Sequence, residues 1–282
     1  MFDPLRRFLL AIQFFTRIPV TGRLAHWVGY SPDQLRASTG HITGVGWVVG
    51  LFTAGLLALL LAALPQVPAS AWVAAVLSTA AGAWLTGAFH EDGLSDLIDG
   101  LGGSHDRERA LDIMKDSRIG SFGALALVLV VAAKCGLLAL LASVSAPLAV
   151  LALFGAHVAS RLPPLFIIRA LPHVGDTARS KSKPLAETIA PAALLTGLAW
   201  WLAAWGVLAW LWPAPWWWGG LLATGVVAWG MRRWLQRRLQ GFTGDALGST
   251  QQLAEIGFYL GVALSLPVTP TLPLHLSGWG GG

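Results

Sequence analysis

The sequence predicts an all-α, polytopic membrane bundle of about seven transmembrane helices, with its chemistry gathered at the cytoplasmic face. Three observations carry this. Of 282 residues, 55% are hydrophobic and 12% are charged, and a soluble domain carries about twice that share of charge. Seven apolar runs, at 42–64, 69–89, 121–142, 147–170, 191–211, 215–231 and 247–267, come near the roughly 20 residues that cross a hydrocarbon core as a helix. The connections between the runs alternate between charged and uncharged. The runs lack the polar–apolar alternation of a barrel strand, which leaves the helix as the spanning element.

The first forty residues precede the first run. Residues 1–20 place Arg6, Arg7, Gln13 and Arg17 around a short apolar core. Gln13 and Arg17 interrupt that core and no small-x-small cleavage pattern follows, so the segment reads as an amphipathic helix in the interface and not as a cleaved signal. The first five runs have the length of spans. The sixth is short and the seventh has a polar first half, which makes those two the weakest.

Around Pro65–Pro68, Ser143–Ala146 and Trp212–Ala214 the connections carry no charge, and neither does the tail after the last run. The other segments hold 17 of the 19 Lys and Arg residues. These are Arg6, Arg7, Arg17, Arg23 and Arg36; Arg107, Arg109, Lys115 and Arg118; Arg169, Arg179, Lys181 and Lys183; and Arg232, Arg233, Arg237 and Arg238. The positive-inside rule puts these segments and the N-terminus in the cytoplasm. With seven spans the C-terminus falls outside. One membrane domain, residues 1–282, accounts for the chain.

The formal net charge is +5. Basic residues set beside apolar spans point to anionic lipid headgroups or an anionic substrate, and away from nucleic acid. The single cysteine, Cys135, lies inside an apolar run, so a disulfide within the chain and a thiolate metal site are both excluded.

The second run ends in His90-Glu-Asp-Gly-Leu-Ser-Asp-Leu-Ile-Asp-Gly100. Asp92, Asp96 and Asp99 follow an i, i+4, i+7 spacing, which on a helix places them within about 60° of one face. His90 falls nearly opposite. Gly93 and Gly100 share a neighbouring line, open to a ligand or another helix. Three carboxylates on one face repel one another unless a cation lies between them. Hard oxygen donors suit Mg²⁺ or Mn²⁺ better than Zn²⁺, and Mg²⁺ usually completes its shell with substrate phosphates. The alternative is a solvated acidic helix at the membrane surface.

The following stretch, to about residue 120, completes a cytoplasmic loop with a short helix capped by Ser104 or Asp106. Lys115 and Arg118 at its end are natural phosphate partners. Charges within spans are costly and functional by default. Lys134 is deep enough to be structural or to snorkel outward. Arg161 lies one turn from His157, near the cytoplasmic end of its span, where it either takes a substrate phosphate or pairs with Asp245 or Glu255. Asp245, Ser249 and Gln252 form a polar stripe on the last run, lining either a site or a bundle seam.

These blocks resemble the cobalamin synthase family, the adenosylcobinamide-GDP ribazoletransferases. The resemblance rests on Phe14-Phe-Thr-Arg-Ile-Pro19, residues 90–103, residues 106–120 and Phe242-Thr-Gly-Asp-Ala-Leu-Gly248, in the family's order and spacing. It implies a multi-pass protein of the cell inner membrane with a cytoplasmic active site. It also implies Mg²⁺-dependent joining of adenosylcobinamide-GDP to α-ribazole or its 5′-phosphate, with release of GMP. On this reading Asp92, Asp96 and Asp99 hold Mg²⁺, and Lys115, Arg118 and Arg161, with Gly93 and Gly100, meet the substrate. His90, Asp116 and Asp245 are the candidates for a catalytic base.

Three other readings compete. A CDP-alcohol phosphotransferase pairs its DG with a later AR, which does not follow Asp92-Gly93 at that distance. An aspartate-rich prenyltransferase needs two clusters, where one is clear. A transporter built on Lys134 and Arg161 predicts charge along a path through the bilayer, yet the outer loops carry none.

Overall fold

The computed structural model describes residues 3–175 and 188–267. Arg179, Lys181 and Lys183 of the third charged loop, and the tail beyond residue 267, lie outside the described residues. Three short helices come first: α1 (Pro4–Phe15), α2 (Gly22–Val28) and α3 (Pro32–Ser38). A 3₁₀ turn, Thr39–His41, leads into α4 (Ile42–Ala63), followed by α5 (Pro68–Thr86), α6 (Phe89–Gly103) and α7 (Arg107–Ile113). The chain continues through α8 (Ser121–Val144), α9 (Ala146–Ala159), α10 (Pro163–Ala170), α11 (Pro191–Leu211), α12 (Trp216–Arg238) and α13 (Gly244–Leu264). Among the described residues there is no strand, only an isolated bridge between His173 and Phe242.

Each apolar run became helix, and the boundaries follow local chemistry. Pro68, Pro163 and Pro191 sit in the first turns of their helices, where a missing N–H costs nothing. Pro163-Pro164 also breaks the fourth run into α9 and α10, because proline cannot continue the ladder behind it. Asp3 caps α1, accepting from the Leu5 amide at 2.9 Å. α1 buries Leu10, Ala11, Ile12 and Phe15 and exposes Gln13, the amphipathic division read from the sequence.

Among the described residues, five helical segments are long and apolar enough to cross a membrane: Pro32–Ala63, Pro68–Thr86, Ser121–Val144, Ala146–Ala170 and Pro191–Leu211. The two weakest runs, now α12 and α13, are not among them. α12 ends in Arg232, Arg233, Arg237 and Arg238. α13 is largely enclosed, with Ser249, Thr250, Gln251, Gln252 and Glu255 each 2% exposed or less. Its polar stripe faces other helices rather than lipid. The structure therefore supports a membrane bundle with five clear apolar spans among the described residues; α12 exposes Trp218, Leu222, Val226 and Trp229 along its first part and gathers its arginines at its end, while α13 is enclosed by its neighbours.

Contacts between distant loops gather the charged connections at one end. Arg238 donates to the carbonyls of Leu101 (3.0 Å) and Ser104 (2.7 Å), and Arg107 donates to that of Leu239 at 2.7 Å. The Val174 amide donates to the Phe242 carbonyl at 2.9 Å. Arg17 donates its backbone N–H to Leu85 at 2.7 Å.

Candidate active site at the charged end of the bundle

α5 stops at Gly87, whose φ of 70° suits a residue without Cβ. The chain resumes as α6, with Ala88 at a φ of 57°. α6 then carries the acidic face. Asp92 is exposed, Asp96 half-buried and Asp99 buried. The same helix buries Leu94, Leu97 and Leu101, and these fix which side is left for the aspartates.

The three carboxylates do not share one role. Asp99 accepts from the backbone amides of Gly120 (2.7 Å) and Gly123 (2.8 Å) at the start of α8. Its charge lies against the positive end of that helix. Gly120 and Gly123 have no side chain because one would strike the Asp99 carboxylate. The sequence placed Asp99 in the metal set; in the structure each of its oxygens accepts one amide at the start of α8.

Asp245 takes the place beside the remaining two. Thr243 caps α13, its hydroxyl accepting from the Ala246 amide at 3.2 Å and donating to Asp245 at 3.3 Å. Gly93 lets α13 approach, since a Cβ there would lie 2.9 Å from the Asp245 Cα. Burial, followed by the charges of Asp245, Asp92 and Asp99, pushes the Asp96 carboxyl up to about 7. Among the described residues, each charge named beside Asp96 is negative. Among the described residues, no three His, Cys, Asp or Glu side chains stand together at ligand spacing. The donor chemistry nonetheless fits a hard divalent ion, with all-oxygen ligands that repel until one is bound.

Gly93 and Gly100, expected to face substrate, face protein. A Cβ on Gly100 would lie 2.5 Å from Met114 Cγ and 2.8 Å from the Ala110 carbonyl, so Gly100 admits α7. His90 is 3% exposed and its position on α6 falls nearly opposite the aspartates. Burial, then the Arg161 charge, pushes its imidazole well below the usual range. Its Nε2 is buried without a hydrogen-bond partner among the described residues. Asp116 is chelated by Arg118, with Nε 3.0 Å from Oδ1 and Nη2 2.6 Å from Oδ2, and Arg118 holds it down to about 2. A carboxylate so paired is a poor proton acceptor. Lys115 pairs with Asp112 at 3.3 Å. Arg118 and Arg109 line an open groove of about 480 Å³ with Asp99, Asp116 and Phe122.

Arg161 is drawn away from the aspartates. It is 1% exposed and donates to the His157 carbonyl at 2.8 Å; its acidic neighbours are Glu255 and Glu91. Lys134 does not snorkel. It forms a buried ion pair with Glu255 at 3.1 Å and donates to Gln252 at 3.2 Å. Gln252 reaches Glu91 at 3.0 Å, and Tyr259 donates to Glu255 at 3.1 Å. This network holds α6, α8, α9 and α13 together behind the acidic face. The sequence could not show it, because its members come from four helices.

The family model described as CobS, cobalamin-5-phosphate synthase, matches residues 7–263. A relative from Albidiferax ferrireducens is 57% identical over 276 residues, covering 93% of this chain and 99% of its own. Another from Polaromonas naphthalenivorans is 53% identical over 281 residues, covering 94% and 100%. One from Vibrio cholerae is 41% identical over 261 residues, covering 91% and 92%. All three bear the name adenosylcobinamide-GDP ribazoletransferase. No solved structure matches the chain. With the acidic helix, the glycines that seat Asp99 and the Asp245 block all inside the matched region, the chain belongs to the cobalamin-5-phosphate synthase family.

Proposed function

We propose that this chain joins adenosylcobinamide-GDP to α-ribazole, or to its 5′-phosphate, and releases GMP. The observation that carries the reading is the meeting of Asp92 and Asp96 with Asp245, carboxylates that repel one another, at the charged end of a bundle of this family. A free ribose hydroxyl of the ribazole, other than the 5′ position that the 5′-phosphate acceptor has blocked, attacks the cobinamide-linked phosphorus. A new P–O bond forms, the bridging P–O bond to GMP breaks, and the hydroxyl proton passes to the acidic face or to water. A divalent cation, Mg²⁺ by the donor set, supplies the charge that such phosphates require when it is bound. Asp92, Asp96 and Asp245 are the residues to hold it. Arg118 in the groove, and Lys115 near it, are assigned to phosphate; each exchanges its present carboxylate partner for substrate. The site faces the cytoplasm, and the protein resides in the cell inner membrane. Anionic lipid headgroups meet the basic segments around it.

The test is release of GMP from adenosylcobinamide-GDP by purified protein. Release strictly dependent on added ribazole and on Mg²⁺ supports the reading. GMP release without ribazole, or none under any condition, refutes it.

A further inference from the structure

Arg17 belongs to the one family-resembling block that the site described above does not use. Its backbone is held firmly. The Thr16 amide donates to Ile12 at 3.0 Å, the Arg17 amide to Leu85 at 2.7 Å, and the Ile18 amide to the Thr16 hydroxyl at 3.1 Å. The side chain passes close over Gly87. A Cβ at position 87 would be 3.2 Å from Arg17 Nε and 3.8 Å from both its Cγ and Nη2. Yet Arg17 is exposed, and among the described residues its guanidinium has no hydrogen-bond or ion-pair partner. Lys115 and Arg118 are paired with carboxylates, and Arg161 is buried, so Arg17 is a cation both seated and uncommitted.

Its seat lies under the acidic face. Phe89 precedes Asp96 by seven residues, two helical turns, so the two lie within about 20° on α6. Phe14 and Phe15, just before Arg17, pack on Phe89 with ring centroids 6.0 Å away in each case. The end of α1 is thus docked on the aspartate side of α6, at its beginning. The Asp92 amide donates to the Ala88 carbonyl at 2.9 Å, so Gly87 and the guanidinium over it lie about one turn from Asp92. Beyond Phe14 opens a cavity of about 720 Å³, lined by Leu10, Gln13, Ala25, His26 and Tyr30 among others. A large, partly apolar substrate group fits there with its phosphate turned toward α6.

We infer that Arg17 is a pyrophosphate-binding residue of this site, gripping the substrate phosphates at the Asp92 end of the acidic face. The inference rests on the proposed reaction. A guanidinium packed beside a glycine, with its donors uncommitted, is available for the bidentate contacts that phosphate recognition uses.

The experiment measures binding of mant-GDP with Mg²⁺ and the apparent KM for adenosylcobinamide-GDP, in wild type, Arg17→Ala and Arg17→Lys. Because the Arg17 side chain has no partner among the described residues, both variants should keep the wild-type melting temperature in detergent. Arg17→Ala should weaken GDP binding and raise the KM about ten-fold or more, the usual worth of a charge-assisted hydrogen bond, while the KM for ribazole stays constant. Arg17→Lys should recover only part of this. Variants that match wild type in GDP binding and KM overturn the inference alone. So does a fall in melting temperature with unchanged affinity, the signature of a membrane anchor. A wild type that releases no GMP removes the proposed reaction, and the inference with it.

Discussion

Gly93 and Asp245 are 152 positions apart in sequence, yet a Cβ on Gly93 would lie 2.9 Å from the Asp245 Cα and 3.0 Å from its carbonyl oxygen. This approach of α6 to α13 places a fourth carboxylate beside Asp92 and Asp96. Gly93→Ala should therefore separate the helices. The overpacking costs about 1–3 kcal/mol and outweighs the roughly 1 kcal/mol that alanine gains over glycine in a helix. Thermal unfolding in detergent should show a lowered melting temperature, and turnover should fall with it. A variant as stable and active as wild type would mean the contact is not tight.

The Lys134–Glu255 pair is buried on both sides, at 7% and 1% side-chain exposure. Lys134→Met leaves Glu255 without its ion-pair partner, a change that typically costs about 3–5 kcal/mol. Lys134→Met combined with Glu255→Gln should regain most of it. Arg161→Lys should likewise lower stability through the lost donation to His157, while nucleotide affinity in the folded fraction holds. A stable Arg161→Lys variant with weakened affinity would restore the phosphate role expected from sequence.

Asp96 gives a pH dependence with a defined sign. Burial, followed by the neighbouring carboxylates, pushes its carboxyl up to about 7 from the ordinary 3.8. Folding takes up a proton between those values, so this contribution to stability is fully present below about pH 4 and is lost as pH rises through about 7. Without divalent metal, wild type should lose stability relative to Asp96→Asn on going from pH 5 to pH 8. Added Mg²⁺ should restore it at pH 8 and bind more tightly as pH rises, since ligand carboxylates must be deprotonated. Parallel pH profiles for the two proteins would remove the repulsion argument.

Topology is tested by reporter fusions. One placed after Arg238 should read cytoplasmic, and one after Pro273, outside the described residues, should read external. A cytoplasmic reading at Pro273 would show that α12 and α13 do not form a pair of spans.

Much of this fold was legible because apolar runs and proline starts are local signals. Pro68 and Pro191 open α5 and α11, where the runs begin. The division of the fourth run was written in Pro163-Pro164 but hidden by its unbroken hydrophobicity. The acidic face was legible too, since i, i+4, i+7 is a property of one helix. Partners of those residues were not. Asp99 finds its amides at Gly120 and Gly123, across a turn whose path no spacing rule gives. Asp245 joins the cluster only because two helices cross at Gly93. Lys134 seemed free to reach outward because its counter-charge, Glu255, comes from another helix. The glycines of the 120–123 stretch were the one available hint, as paired small residues beside a buried acid.

The central claim is that Asp92, Asp96 and Asp245 form a divalent-cation site while Asp99 holds α8. Mn²⁺ titration followed by electron paramagnetic resonance tests it directly, as loss of the free-ion signal on adding protein. Wild type and Asp99→Asn should both bind Mn²⁺, the latter with a lowered melting temperature. Asp92→Asn, Asp96→Asn and Asp245→Asn should each lose binding while remaining folded. Normal binding by Asp245→Asn together with none by a folded Asp99→Asn would contradict the account.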